Sequence, residues 1–401
     1  MTAAEVPSRT APRPEDLLGL DALLSDGERA TRERVRAFVE ARVLPEAEAD
    51  FEHARFRREL VRELGELGVL GMHLEGHGCA GASAVEYGLA CLELEAGDSA
   101  WRTFVSVQGS LAMTAIDHFG SEEQKGRWLP GLAAGELIGC FGLTEPEAGS
   151  DPGSMRTAAR REGGDWVLDG SKRWIGLASE ADVAVIWARA EDTVRGFLVP
   201  TDTPGFRAEP ITNKLSLRAS VQAEIHMDGC RLPADAMLPE ARGLRGPFEC
   251  LNDARYGIVW GVMGAARACF DAARVHAGRR EQFGRPIAAF QLTQEKLANM
   301  ALELGKGELV SLHLGRMKDA GRLTPEQISF GKLNNVREAL AIARESRTIL
   351  GGNGVTSDFP VMRHMANLEA VRTYEGTDEV HTLILGNAIT GVPAFRANGS
   401  G

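Results

Sequence analysis

The sequence predicts a mainly α-helical chain with a β-rich insert, and three observations carry that prediction. From about Leu17 to Gly139, apolar residues recur three and four apart, the period of a helix with one buried face. Near Cys140 the texture changes to short β-rich runs with period-two stretches, which continue to roughly Pro247. From residue 248 to the end, long helical periodicity returns. Helices, then strands, then helices exclude the alternating βαβ order of a doubly wound sheet.

Taken in order, residues 1–16 ("MTAAEVPSRTAPRPED") are Pro/Ala/Thr-rich and read as a frayed, disordered tail. Transit peptides are poor in acids, and this segment carries Glu5. Residues 17–139 form a helical domain, in which "DGERATRERVRAFVEARVL", "RRELVRELGELGVLGM" and "SAVEYGLACLELEAGDS" are separated by Gly and Asp-Ser breaks. Residues 140–247 suit one small barrel or sandwich, with Asp169-Gly170 as a turn signal. Residues 248–401 read as a bundle of four or five helices.

The 401 residues are 44% hydrophobic and 25% charged, as in globular proteins, with room for two or three packed domains. A net charge of -11 argues against nucleic acid or an anionic membrane as partner, since polyanions are repelled. The six cysteines form no CxxC pair and read as reduced, mostly buried thiols of a cytoplasmic protein. No run of eighteen apolar residues is available to span a membrane. There is no G-x-G-x-x-G after a strand, no P-loop, no HExxH and no GxSxG elbow. His73 and His77 share an i, i+4 spacing, but beside "GHGCAGAS" they read as exposed loop histidines, so no metal site is expected.

Four segments carry the chemistry: "CFGLTEPEAGSDPGS" (140–154), "GSKRWI" (170–175), "RREQFGRPIAAFQ" (279–291) and "TYEGTDEVH" (373–381). In this order they resemble the acyl-CoA dehydrogenase family of flavoproteins, and the likeness runs from about Leu17 to Phe395. The resemblance implies an N-terminal helical domain, a middle β-barrel and a C-terminal four-helix bundle, with FAD as cofactor and an acyl-CoA as substrate. It also implies a homotetramer, and an electron-transfer flavoprotein or O2 as the electron acceptor.

Residue by residue, Glu375 matches the family's catalytic base. Taken alone it reads as an acid at a helix N-terminus balancing the dipole; beside the other three segments the base reading wins. Some relatives carry the base just before an arginine on the first bundle helix, and here that position is Ala254. Phe141 and Leu143 match an apolar wall of the flavin site, Thr144 the residue at its pyrimidine edge, and Ser150 a contact shared by flavin and CoA. Trp174 matches the tryptophan packed on the isoalloxazine, although alone it would read as a barrel-core residue. Arg280, Phe283 and Gln291 match residues that reach the flavin's pyrophosphate and adenosine from a neighbouring subunit. Gly351, Gly352 and Gly354 match a close backbone approach to the same cofactor, and Thr377 and Glu379 its last contacts. Arg255 matches the arginine at the CoA nucleotide end, and Tyr374 and Gly376, flanking the glutamate, are assigned to the substrate.

Within the family, "WRTFVSVQGSLAM", "KLSLRAS" and "NDARYGIVWGV" look most like glutaryl-CoA dehydrogenases. There an arginine, matched by Arg102, meets the distal carboxylate, with a serine one turn on, matched by Ser106. The i, i+4 spacing sets both on one helix face; read alone, Arg102 would be a surface cation. The subfamily likeness implies oxidation of glutaryl-CoA with loss of CO2 to give crotonyl-CoA. One departure is Gly176, where the family has a threonine two residues after the tryptophan. That Trp-Ile-Gly run resembles short-chain acyl-CoA oxidases, which lack the arginine. A short-chain acyl-CoA dehydrogenase or oxidase without decarboxylation is therefore the alternative, and a turnover-free acyl-CoA-binding relative a more distant one.

Overall fold

The computed structural model describes residues 17–394, so the predicted tail at 1–16 and the end of the likeness at Phe395 lie outside the described residues. Helices α1 (Asp26–Phe38), α2 (Ala47–His53) and α3 (Glu59–Glu66) lead to a short hairpin of β1 (Glu75–Gly76) and β2 (Cys79–Ala80). Helix α4 (Ala84–Gly97) follows, opened by a Ser83/Glu86 capping box in which each side chain bonds the other's backbone N–H. Then come α5 (Ser99–Val105), a π-helical stretch at Ser106–Met113, α6 (Thr114–Phe119) and α7 (Glu122–Ala133).

Nearly every residue of α4 is buried, so it is a core helix rather than an amphipathic surface one. It packs against α8 (Arg245–Arg279), which begins the C-terminal part. The two backbones approach so closely that a Cβ on Gly264 would lie 1.9 Å from the carbonyl oxygen of Leu92. Behind α8 in sequence follow the hairpin β10 (Glu281–Gln282) and β11 (Arg285–Pro286), then α9 (Gln291–Asp319), α10 (Pro325–Leu350), α11 (Val361–Thr373) and α12 (Asp378–Thr390). Helix α8 also packs on α10, so it ties the N-terminal helices to the bundle.

The middle sheet has strands β3 (Gly139–Gly142), β4 (Ala158–Glu162), β5 (Asp165–Gly176), β6 (Val183–Ala190), β7 (Thr193–Pro200), β8 (Phe206–Pro210) and β9 (Gln222–Leu232). Its order is β3-β6-β4-β5-β9-β8, with β7 antiparallel on β6. Trp166, Trp187 and Phe197 fill its core. Asp169-Gly170 is not a turn: it lies inside β5, at a bulge in the pairing with β9. Gly170 takes φ +143 there, and a Cβ would meet Thr157 at 2.6–2.9 Å, so the glycine serves the bulge. The hairpin turn is Gly163-Gly164, between the paired Glu162 and Asp165.

All six cysteines are unpaired, five of them buried and Cys79 half-buried. His73 departs from its expected exposure. Its ring packs 5.0 Å from that of Tyr87, its Nε2 lies 3.1 Å from Thr114 Oγ1, and burial pushes its pKa down to about 4. His73 is thus pinned onto the helices, His77 is half-buried, and Gly76, Gly78 and Ala80 of the loop are exposed. Among the described residues no helix is long and apolar enough to cross a membrane.

Candidate active site

Helices α4 and α5 meet at Asp98, which ends one and caps the other. Its Oδ1 accepts from the Ala100 N–H (2.7 Å), and its Oδ2 accepts from Arg363 Nη1 on α11 (2.6 Å). This pivot fixes α5, one turn along which stands Arg102. Arg102 is fully buried, so the surface-cation reading fails. Its Nε donates to Glu95 Oε2 (2.7 Å), and its Nη2 donates to the Tyr374 hydroxyl. Burial works against its charge, but Glu95, Tyr374 and Glu375 together outweigh that and hold its pKa above the ordinary value. Burial also raises Glu95, with Arg102 pulling it back. A guanidinium does not give up its proton, so the two form a wholly buried ion pair. Arg102 Nη1 and Ser106 Oγ, four residues apart, are both buried with no hydrogen-bond partner among the described residues. Such atoms are rare in folded proteins and call for an explanation.

Glu375 stands in the turn between α11 and α12. Thr377 caps α12, its Oγ1 accepting from the Val380 N–H (3.3 Å), and Asp378 and Glu379 occupy the first helical turn. Glu375 precedes the cap, so balancing the helix dipole falls to those two acids. Its φ is +53, a left-handed conformation that costs a non-glycine residue about 1–3 kcal/mol. Gly376 follows at φ +96, and a Cβ there would lie 2.7 Å from His381 Nε2. The turn itself therefore demands glycine, beyond any ligand's approach.

The cations around this turn hold its backbone. Lys332 Nζ on α10 donates to the carbonyls of Tyr374 and Gly376, each at 2.5 Å. Arg255, expected at the nucleotide end of CoA, donates its Nε–H to the Glu375 carbonyl (2.8 Å). From α8 the guanidinium finds its acceptor at the half-buried peptide of the turn, which sets it beside Glu375. Glu375 Oε2 is buried without a hydrogen-bond partner among the described residues. Burial raises its carboxyl above the usual range, while Arg102, Lys332 and Arg255 pull it back.

A second group gathers beside the sheet. Phe141 and Leu143 are buried, Thr144 is half-buried and Ser150 is exposed. The Thr144 carbonyl accepts from the Arg173 N–H (2.9 Å), which sets it beside Trp174. Lys172 Nζ donates to the Leu143 carbonyl (3.0 Å) and pairs with Glu145 (2.9 Å), fixing this loop from beneath. Trp174 is no core residue: it is 54% exposed, with φ +62. The groups adjoin at Gly176, where a Cβ would lie 3.2 Å from Val107, on the π-helical stretch that Ser106 begins.

The remaining predicted residues lie apart. Arg280 ends α8, Phe283 tips the β10–β11 hairpin at 94% exposure, and Gln291 opens α9, all on the surface. Gly351 and Gly352 are exposed just after α10, whereas Gly354 is buried with its Cβ position 2.3 Å from the Arg347 carbonyl. Thr377 spends its hydroxyl on the helix cap, and Glu379 is exposed beside it.

Two neighbours of the site escaped the sequence reading. Glu95 lies in "CLELEAG", where acids at 93 and 95 point to different faces of a helix whose other residues are apolar. That pattern already required one buried acid with a cationic partner. Lys332 lies in "SFGKLNN", and nothing local marks it as buried.

Family models described as acyl-CoA dehydrogenase N-terminal, middle and C-terminal domains match residues 25–136, 140–230 and 241–390. The short-chain specific acyl-CoA dehydrogenase, mitochondrial, of Homo sapiens is 36% identical over 358 residues, 87% of each chain. A glutaryl-CoA dehydrogenase from Mycobacterium smegmatis superposes with a TM-score of 0.95 at 62% identity, covering 96% of this chain and 100% of that one. A glutaryl-CoA dehydrogenase of the same organism, solved in complex with FADH2, gives 0.95 at 59% identity, covering 96% and 99%. The chain belongs to the acyl-CoA dehydrogenase family.

Proposed function

We propose that the protein oxidises glutaryl-CoA with FAD and decarboxylates the product to crotonyl-CoA. The observation that carries this reading is the pair of unbonded polar groups, Arg102 Nη1 and Ser106 Oγ, buried side by side in sequence register near Glu375. A carboxylate accepting from both would satisfy two donors that otherwise bear the full cost of burial. A flavin suits the ground beside them: Trp174 offers a half-exposed indole on a left-handed backbone, with Phe141, Leu143 and Thr144 adjoining. Thr144 and Ser150 would hold its ring system, with Gly351, Gly352, Gly354, Thr377 and Glu379 at its far end. Arg280, Phe283 and Gln291, exposed on their own chain, would reach the cofactor of a neighbouring subunit in a homotetramer. FAD would supply the hydride acceptor that no side chain can provide.

In this reading Glu375 takes the α-proton of the thioester. Its buried carboxylate is a stronger base than one in water, because desolvation raises its pKa. With the β-hydride gone, the glutaconyl thioester holds its carboxylate on Arg102 and Ser106. Cleavage of the C–CO2 bond leaves its electron pair in the thioester dienolate, and Glu375 returns the proton it took. Tyr374, bonded to Arg102, orients the guanidinium and walls the acyl chain. Either an electron-transfer flavoprotein or O2 would take the electrons onward. The unpaired cysteines favour a reducing compartment such as the cytoplasm.

A second reading is a short-chain acyl-CoA dehydrogenase or oxidase without decarboxylation. It is favoured by Gly176, which brings no hydroxyl, and by Glu95, which already balances the Arg102 charge. Turnover of glutaryl-CoA with an artificial acceptor, followed by mass spectrometry of the thioester, separates the two. Crotonyl-CoA with released CO2 is expected. Accumulating glutaconyl-CoA would remove the decarboxylation, and no product at all would favour the second reading.

A further inference from the structure

We propose that Lys332, together with Arg255, is the positioning residue for Glu375: the two cations clamp three successive carbonyls and so hold the left-handed turn that aims the carboxylate. The inference rests on the reading of Glu375 as base. The geometry is specific. Lys332 Nζ straddles the carbonyls of Tyr374 and Gly376 at 2.5 Å each, and Arg255 Nε takes the Glu375 carbonyl between them at 2.8 Å. His381 Nε2 lies 3.3 Å from the same oxygen. These oxygens follow the end of α11 and have no helical partners, so charge-assisted bonds from two other helices take them up. The turn combines two positive-φ residues in a row, Glu375 and Gly376, an arrangement the chain does not hold by local preference.

Lys332 is 2% exposed and makes no ion pair with a carboxylate within 4 Å among the described residues. The charges that face it come from every neighbouring element. Glu375 lies in the turn, Asp378 and His381 on α12, Arg255 on α8 and Arg102 on α5. Burial pushes its ammonium down to about 7, with Glu375 and Asp378 pulling it back and the two arginines adding to the fall. It therefore carries its charge below about pH 7. In that range it lowers the glutamate's pKa, as Arg102 and Arg255 do.

The test compares Lys332→Gln, Lys332→Met and Lys332→Arg as FAD-loaded proteins. Three quantities are read: the anaerobic rate of flavin bleaching by acyl-CoA across pH, the Kd of a non-oxidisable thioether analogue, and hydrogen exchange of residues 374–378. Losing the cation should slow bleaching roughly 10- to 100-fold with Kd nearly unchanged, as expected of a misplaced base. It should also move the acid limb of the rate up by about one pH unit, because a positive charge near the carboxylate is gone. Exchange in 374–378 should quicken, in FAD-free protein as well. Lys332→Arg should restore the acid limb and most of the rate. Neutral variants with the parent's rate and limb would overturn the proposal, as would Lys332→Arg behaving like Lys332→Met, and so would failure of both neutral variants to fold. A Glu375→Gln protein that bleaches at the parent's rate would instead remove the base reading, whatever Lys332 does.

Discussion

A carboxylate with a buried, unbonded oxygen is poised to take a proton, and that is how Glu375 sits in its turn. Glu375→Gln keeps the shape and removes the proposed base, so the bleaching rate should fall by about 10²–10⁴ or more while the protein stays yellow and folded. The pH dependence follows from the raised carboxyl. In the proposed reaction Glu375 acts as the anion, so the rate should climb as pH rises through a pKa above that of an ordinary glutamate, and fall away below it. Stopped-flow bleaching across pH checks the sign. Arg102 is the second residue on which the account stands. Truncating it alone would strand the Glu95 charge in the core, an error that costs about 3–5 kcal/mol and confuses folding with binding. The double substitution Arg102→Met with Glu95→Gln removes both charges. It should keep butyryl-CoA oxidation and lose roughly 10- to 100-fold in affinity for glutaryl-CoA, the worth of one or two charge-assisted bonds. Isothermal titration with the two thioesters' thioether analogues measures it. Glu375, Arg102 and Ser106 could be singled out as candidates because their segments carry recognisable neighbours, but their burial and their unbonded polar atoms could not be read from the sequence. Arg255 could be singled out as a candidate, but its bond to the Glu375 carbonyl could not, since a helix position says nothing of which distant turn the side chain will meet.

Two helices bring the site together, and each depends on contacts that a pattern of apolar residues conceals. Helix α4 carries Glu95 and lies against α8, which carries Arg255, at a distance only glycine allows. Gly264→Ala should force them apart and destabilise the protein by about 1–3 kcal/mol or more, read from the denaturant midpoint. The sequence shows Gly264 only as a glycine inside a helix, which by itself suggests a weak spot. The helical stretches and the β-rich insert were legible from their periods. Asp169-Gly170 was not, because the same dipeptide serves a hairpin turn or a bulge, and the choice is made by the partner strand. The true turn at Gly163-Gly164 is fixed by pairing of Glu162 with Asp165. Lys172 presents the same problem in another form. It looks like a solvated strand residue, yet it is buried, pushed down to about 8 by that burial, and ties Glu145 to the Leu143 carbonyl. Lys172→Met should loosen the loop at Thr144 and lower FAD affinity, which fluorescence of released flavin would follow.

At the scale of the molecule, the helical and β parts adjoin at Gly176 against Val107, beside the proposed site. The order of the parts was readable from the sequence, but the side-to-side closeness of β5 and the Ser106 stretch was not. Phe283 at 94% exposure, and the half-exposed Leu309 and Phe330 on α9 and α10, are surfaces that a homotetramer would cover. Sedimentation equilibrium should give four chains, and Phe283→Ser should weaken FAD retention without unfolding the chain. The central claim is that one buried cation and one hydroxyl choose a substrate with a distal carboxylate for the base at Glu375. Its most direct test is anaerobic: glutaryl-CoA and butyryl-CoA are mixed separately with the yellow protein, and flavin absorbance is followed. The account predicts fast bleaching by glutaryl-CoA and slower bleaching by butyryl-CoA, and bleaching by butyryl-CoA alone would contradict it.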